Sequence, residues 1–210
     1  MRYSDFKKRF ASAPLIFSSE VVKHARNPQA GRNQLFRWKK KGLIVQVKKG
    51  LYLFNPDERK ATPSRFALAA SLYSPSYVSM ETALNLYGLI PERAADVTSV
   101  TTKKTTAFEN EFGRFVYQHL KPQSFRGFIL QKDEAGLPFF IAQPEKAVVD
   151  FFYFNLRRYK KAAPDIFTHS FRFQNTGSLR PAHIMRFARL FNNRKLLSWA
   201  RDFCSFIKRG

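Results

Sequence analysis

Residues 29–54 read QAGRNQLFRWKKKGLIVQVKKGLYLF. Through Lys41 the pattern predicts a helix, from about Gln29, and Gly42 ends it by accepting the left-handed conformation that closes a helix. The apolar spacing then changes. Leu43 to Val47 and Leu51 to Phe54 are two short β-type runs, and Lys48-Lys49-Gly50 between them reads as a hairpin turn, with Gly50 able to take a positive φ. Upstream, Ser4 to Phe10 predicts a short helix capped by Ser4, with Phe6 and Phe10 on one face and Pro14 beyond its end. Ser18 or Ser19 caps a second helix running to about Arg26, with Glu20 in its first turn and Asn27-Pro28 as the following turn. Three short helices and then a hairpin is the order of a winged helix-turn-helix. Its third helix enters the major groove, and its wing touches backbone or minor groove.

The side chains of the third helix sort accordingly. At about 100° per residue, Leu35, Trp38 and Gly42 fall on one side, while Asn33, Arg37, Lys40 and Lys41 fall on the other with Arg32 on the flank. Arg37 and Asn33 are the base-reading candidates, because Arg pairs bidentately with guanine and Asn with adenine. Lys40 and Lys41 suit phosphate, as do Lys48 and Lys49 at the hairpin tip. Trp38, one turn from Leu35, is expected in the core.

Composition agrees with a polyanionic partner. The 210 residues hold 37 Lys+Arg against 15 Asp+Glu, a formal net charge of +22. Residues 1–60 carry 15 basic and 4 acidic side chains, residues 61–150 carry 9 and 9, and residues 151–210 carry 13 and 2. A neutral middle between two basic ends predicts two separate basic surfaces. In the second, Arg157, Arg158, Lys160 and Lys161 cluster, and Arg186, Arg189, Arg194, Arg201 and Lys208 lie on helices whose apolar faces point elsewhere. Asn55 to Arg65 is polar and proline-containing, so it is the expected linker between a DNA-binding domain at residues 1–58 and a second domain at 61–210.

The second domain reads as mixed α/β. Phe66–Leu72 predicts a helix, and Ser79 caps another from Met80 to Tyr87 that Gly88 closes. Strands are expected at Val97–Thr102, Phe112–His119, Gly127–Gln131 and Leu137–Ala142. Pro144 opens a helix to about Leu156, and helices at about Pro181–Asn192 and Arg194–Lys208 finish the chain. The last carries the stripe Leu196, Trp199, Ala200, Phe203 and Ile207. The expected class is therefore α+β: an N-terminal winged helix-turn-helix, then a mixed α/β domain with a helical C-terminus.

Other function classes find little support. No segment has the roughly 18 consecutive apolar residues of a membrane span, and the basic N-terminus lacks the apolar run of a secretory signal, so a cytoplasmic protein without a membrane partner is expected. His24, His119, His169 and His183 are scattered without metal-ligand spacing, and no Gly-rich phosphate loop occurs. Cys204, the single cysteine, sits beside the apolar stripe of the last helix and reads as a buried thiol. No catalytic residue, cofactor or metal is expected. Asp133-Glu134 beside Gly136 reads as a β-turn.

Several phrases resemble the AbiEi-type antitoxins, the transcriptional regulators of type IV toxin–antitoxin systems. They are Gly-Leu-Ile at 42–44 and Lys-Gly-Leu-Tyr at 49–52, then Pro75-Ser-Tyr-Val-Ser79, Ala83-Leu84 and Tyr87-Gly-Leu-Ile-Pro-Glu92. Thr101-Thr-Lys-Lys104, Gly113-Arg-Phe-Val-Tyr117 and Ala142-Gln-Pro-Glu-Lys-Ala-Val-Val-Asp150 continue the series, which covers about residues 15–155. Residues 156–210 carry no such phrase. The resemblance implies a winged helix that represses its own promoter as double-stranded DNA, and a C-terminal domain that counters a neighbouring nucleotidyltransferase toxin. That second role would fall to Arg157, Arg158, Lys160 and Lys161, meeting either the toxin or its RNA target. Two readings from other classes stay open: an RNA- or tRNA-binding accessory protein, and a stand-alone winged-helix transcription factor without a toxin.

Overall fold

The computed structural model describes residues 1–159 and 165–209. It is a mixed α+β fold that divides into two compact units. The first takes Met1–Leu68 with Asn110–Phe112 and Lys132–Leu137; the second takes the rest. The boundary expected near residues 58–61 therefore lies inside the first unit.

The first unit begins α1 (Tyr3–Phe10), β1 (Ile16–Phe17), α2 (Ser18–Lys23), α3 (Pro28–Lys40), β2 (Ile44–Lys48) and β3 (Leu51–Phe54). The three strands form one antiparallel sheet in the order β1-β3-β2, with Ile16 opposite Tyr52 and Ile44 opposite Phe54. Register shifts between Gln46 and Lys48, so β2 bulges before the turn. The core under this sheet is aromatic. Phe6, Phe10, Ile16, Leu35, Trp38, Ile44 and Phe54 are all buried together, and the Phe6 and Trp38 rings lie 4.4 Å apart. Trp38 is 7% exposed, as its place one turn from Leu35 predicts. Trp38→Ala removes that packing and lowers stability by about 3–5 kcal/mol. Thermal denaturation of the variant checks this, and an unchanged melting temperature would contradict it.

Two helix starts differ from expectation. In α1 the cap is Arg2, whose backbone N–H donates to the Asp5 carboxylate at 3.3 Å, and Ser4 lies inside the helix. In α2 the cap position is Phe17, and the helix ends at Lys23 rather than near Arg26. Strand β1 is not foreshadowed by the sequence pattern: two residues are too few to show alternation.

Helix α4 (Arg65–Leu72) straddles the division. The second unit then contains β4 (Ser76–Val78), α5 (Met80–Leu86), β5 (Val97–Thr101), β6 (Thr106–Asn110), β7 (Gly113–His119), β8 (Phe128–Lys132), β9 (Pro138–Ala142), α6 (Pro144–Asn155), α7 (Pro181–Arg189) and α8 (Arg194–Ile207), except for Asn110 and Lys132, the last residues of β6 and β8, which fall in the first. The six strands run β6-β7-β5-β4-β9-β8, with β4 antiparallel to β5 and parallel to β9. Strands β5 and β7 are parallel, Val97 opposite Phe115. The stripe on α8 buries Leu196, Trp199, Ala200 and Phe203, and the Trp199 and Phe203 rings pack against those of Phe152 and Phe167. Ile207, at its end, is half-buried. Cys204 is buried beside the stripe, and burial pushes its thiol pKa up. The Asp133–Gly136 turn forms as expected, Gly136 N–H donating to the Asp133 carbonyl at 2.9 Å. Burial alone would raise the Asp133 pKa, but backbone N–H groups of Ser64 and Leu137, each donating at 2.8 Å, outweigh it and hold the carboxyl below its usual range. Among the described residues, no helix is long and apolar enough to cross a membrane.

Candidate nucleic-acid interface

Helix α3 is fixed at both ends by local chemistry. The Asn27 side chain accepts the Ala30 N–H at 2.7 Å, and Pro28 occupies the first turn. At the other end Gly42 takes φ +69°, which lets Leu43 N–H reach the Trp38 carbonyl and Gly42 N–H the Lys39 carbonyl, both at 3.0 Å. Midway, Gly31 is buried where α2 crosses: a Cβ there would stand 3.2 Å from the Val22 Cα. A side chain at 31 would therefore push the two helices apart. Lys39 donates to the Gln46 side chain at 2.6 Å and ties α3 to β2.

With its inner face set by Gly31, Leu35 and Trp38, α3 presents Arg32, Asn33, Arg37 and Lys40 to solvent, and Lys41 follows at its end. None of these four cations has an ion-pair partner among the described residues, and residues 28–41 contain no carboxylate. Asn33 accepts a hydrogen bond from Gln29, one turn earlier, at 3.0 Å. Lys49 is exposed at the hairpin tip, and Lys48, the last residue of β2, is half-buried. The tip is held down, since Ser18 N–H donates to the Gly50 carbonyl at 2.8 Å and Gly50 takes φ +88°. The seven residues singled out in the sequence thus sit on one helix, its end and the adjoining hairpin of the first unit. The pattern missed Phe36, which stands 66% exposed among the cations. An apolar residue in a helical pattern reads as core until the inner face is seen to be full.

Of the second basic surface, Arg157 and Arg158 are exposed just past the end of α6, and Lys160 and Lys161 lie outside the described residues. Arg158 donates to the Asn155 side chain at 3.3 Å. Arg157 borders an open cleft of about 550 Å³ together with His119, Gln118, Tyr153, Asn193 and Lys195, and among the described residues no carboxylate lines it. The His119 Nδ1 lies 2.9 Å from the Lys103 carbonyl and so carries the proton of that hydrogen bond. Arg186, Arg189, Arg194, Arg201 and Lys208 are all exposed, each on or just past a helix whose other face is buried.

The phrase containing Pro144-Glu145-Lys146 holds a polar centre that the sequence pattern shows only as a helix start. Lys146 and Asp150, one turn apart on α6, are both 0% exposed and ion-paired. Tyr77 donates to Asp150 at 2.9 Å, Ser79 donates to it at 2.8 Å, and Lys146 donates to the Tyr77 oxygen at 2.9 Å. Burial lowers the Lys146 pKa while Asp150 opposes the shift, and burial with the adjacent carboxylate raises Tyr77. Ser79 does stand at the N-cap of α5, yet its hydroxyl is spent on Asp150 instead of capping, and Met80 takes φ +54°. Glu145 accepts the Arg180 N–H at 3.1 Å, and Glu92 pairs with Arg172 at 2.9 Å. No group of three or more metal-ligating side chains occurs among the described residues.

No protein-family model matches the sequence, and no curated protein is significantly similar to it.

Proposed function

We propose that the chain is a DNA-binding autorepressor and antitoxin of the AbiEi type, whose first unit is a winged helix-turn-helix. Support comes from the order α1-β1-α2-α3-β2-β3 and the sheet order β1-β3-β2, an arrangement that leaves one helix and one hairpin to meet a duplex. The observation that carries the reading is the outer face of α3, where Arg32, Asn33, Arg37 and Lys40 stand exposed without acidic partners among the described residues. A face of that charge is attracted to phosphate and repelled by its own neighbours, so a polyanion relieves it. In this reading Asn33 and Arg37 reach base edges, while Arg32, Lys40, Lys41, Lys48 and Lys49 position the protein on phosphates. The reading places the protein in the cytoplasm and gives it no cofactor.

Arg37→Ala combined with Lys40→Ala tests this on a duplex taken from upstream of the coding sequence. Binding weakens by about 5- to 150-fold for the base-reading arginine alone, and the salt slope shrinks by about one for each phosphate-binding cation removed. Unchanged binding by a variant that melts like the parent would sink the assignment.

The antitoxin half rests on the resemblance and on the second basic surface, where Arg157 and Arg158 are exposed. Charge reversal at Arg157, Arg158, Lys160 and Lys161 abolishes growth rescue when the protein is co-expressed with the neighbouring toxin, while duplex binding persists. Full rescue by the charge-reversed protein at normal abundance would leave that cluster no antitoxin role.

A further inference from the structure

We infer that Phe36 is a specificity-determining residue that reads the 5-methyl group of thymine in the major groove. Phe36 is 66% exposed, the most exposed of the large apolar residues described in this protein. Single exposed apolar side chains are ordinary, so exposure alone decides nothing. Its neighbours decide. Arg32 lies one turn before it, Lys40 one turn after, Asn33 three residues before, and Arg37 next in sequence, all exposed. By helix geometry, Gln29, Arg32, Asn33, Phe36 and Lys40 lie within about 100° of arc. The ring therefore sits inside the cationic face and not at its rim. The inner face of α3 is already filled by Gly31, Leu35 and Trp38, so packing within the first unit gives the ring no role.

An apolar group surrounded by cations is poorly suited to another protein's apolar patch, because the cations would be desolvated with it. A DNA major groove offers both halves of the match. Phosphates flank it on either side, and thymine places a methyl group on its floor, the one apolar feature among the base edges there. Phe36 lies beyond the middle of α3, one turn after Asn33, so a helix held by its amide to an adenine edge would bring the ring over an adjacent base step. The site would favour A·T-containing sequence at that step.

The inference rests on the proposed DNA binding, and the experiment separates the two. The probe is the same upstream duplex, made once with thymine and once with deoxyuridine throughout, which removes every 5-methyl and leaves charge and base pairing intact. The full-length parent is expected to bind the deoxyuridine duplex about fourfold more weakly for each methyl touched, the factor that burying one methyl-sized group corresponds to. Phe36→Ala loses the same factor on the thymine duplex, shows no further loss on deoxyuridine, and keeps the parent's salt slope. Phe36→Leu, which retains an apolar tip, recovers part of the discrimination and serves if the alanine variant proves unstable. Equal parent affinity for both duplexes, with a steep salt slope, overturns the role of Phe36 while leaving DNA binding intact. No binding to either duplex overturns the DNA-binding reading and this one with it. If Phe36→Ala converts a dimer to a monomer and methyl discrimination is absent in the parent, the ring belongs to self-association and the inference is also overturned.

Discussion

Lys146→Met destabilises the protein by about 3–5 kcal/mol, because it leaves the Asp150 carboxylate charged, fully enclosed and without its cation. The parent balances that charge inside a closed cluster. Asp150 accepts from the Tyr77 and Ser79 hydroxyls and from the Lys146 ammonium, which also lies 5.4 Å from the Tyr77 ring centre and 4.9 Å from that of Phe191. Deleting the lysine removes the strongest of these interactions and returns no water to replace it. Stability is read by chemical denaturation of the single variant against the parent. A combined variant with Lys146→Met, Asp150→Leu, Tyr77→Phe and Ser79→Ala removes every polar member together, and it melts above the single variant, since replacing a whole buried network is far less costly than breaking it. A single variant as stable as the parent would mean the pair is hydrated in solution, contrary to its complete burial.

This cluster also shows where sequence reading reaches its end. A Lys and an Asp four residues apart on a helix are the usual sign of a solvated surface pair, and nothing in their spacing distinguishes a buried one. The clue lies in the flanking residues. Ala147, Val148, Val149, Phe151 and Phe152 are all buried on one side of α6, and Tyr153 and Phe154 flank Lys146 and Asp150 on the other, so the charges have no polar face to occupy. Ser79 does stand at a helix start, as its residue type suggests, but its hydroxyl serves a residue 71 positions away, which no local rule anticipates. Strands β4 and β6 escape the sequence pattern for a related reason. Ser76-Tyr77-Val78 is three residues long and wholly buried, and Thr106–Asn110 ends in polar residues, so each is defined by its neighbour in the sheet more than by its own pattern.

Helix α3 is legible because every signal about it is local. Asn27 and Pro28 start it, Gly42 stops it, and Leu35 with Trp38 set its rotation. Once the rotation is fixed, the outward direction of Arg32, Asn33, Arg37 and Lys40 follows. Phe36 escapes notice because its residue type argues for the interior while its position argues for solvent, and position prevails. Conflicts of that kind concentrate where a surface has work other than folding.

Duplex binding by α3 and its hairpin, as proposed, proceeds largely by displacing counterions from phosphates. The most direct measurement is the dissociation constant of the full chain for a duplex from upstream of its own coding sequence, between 50 and 200 mM monovalent salt. About five to seven phosphate contacts give a log–log slope of about −4.5 to −6.3, so a fourfold rise in salt weakens binding roughly 500- to 6,000-fold. A dissociation constant that stays flat over this range, or no measurable binding at the lowest salt, would contradict the account.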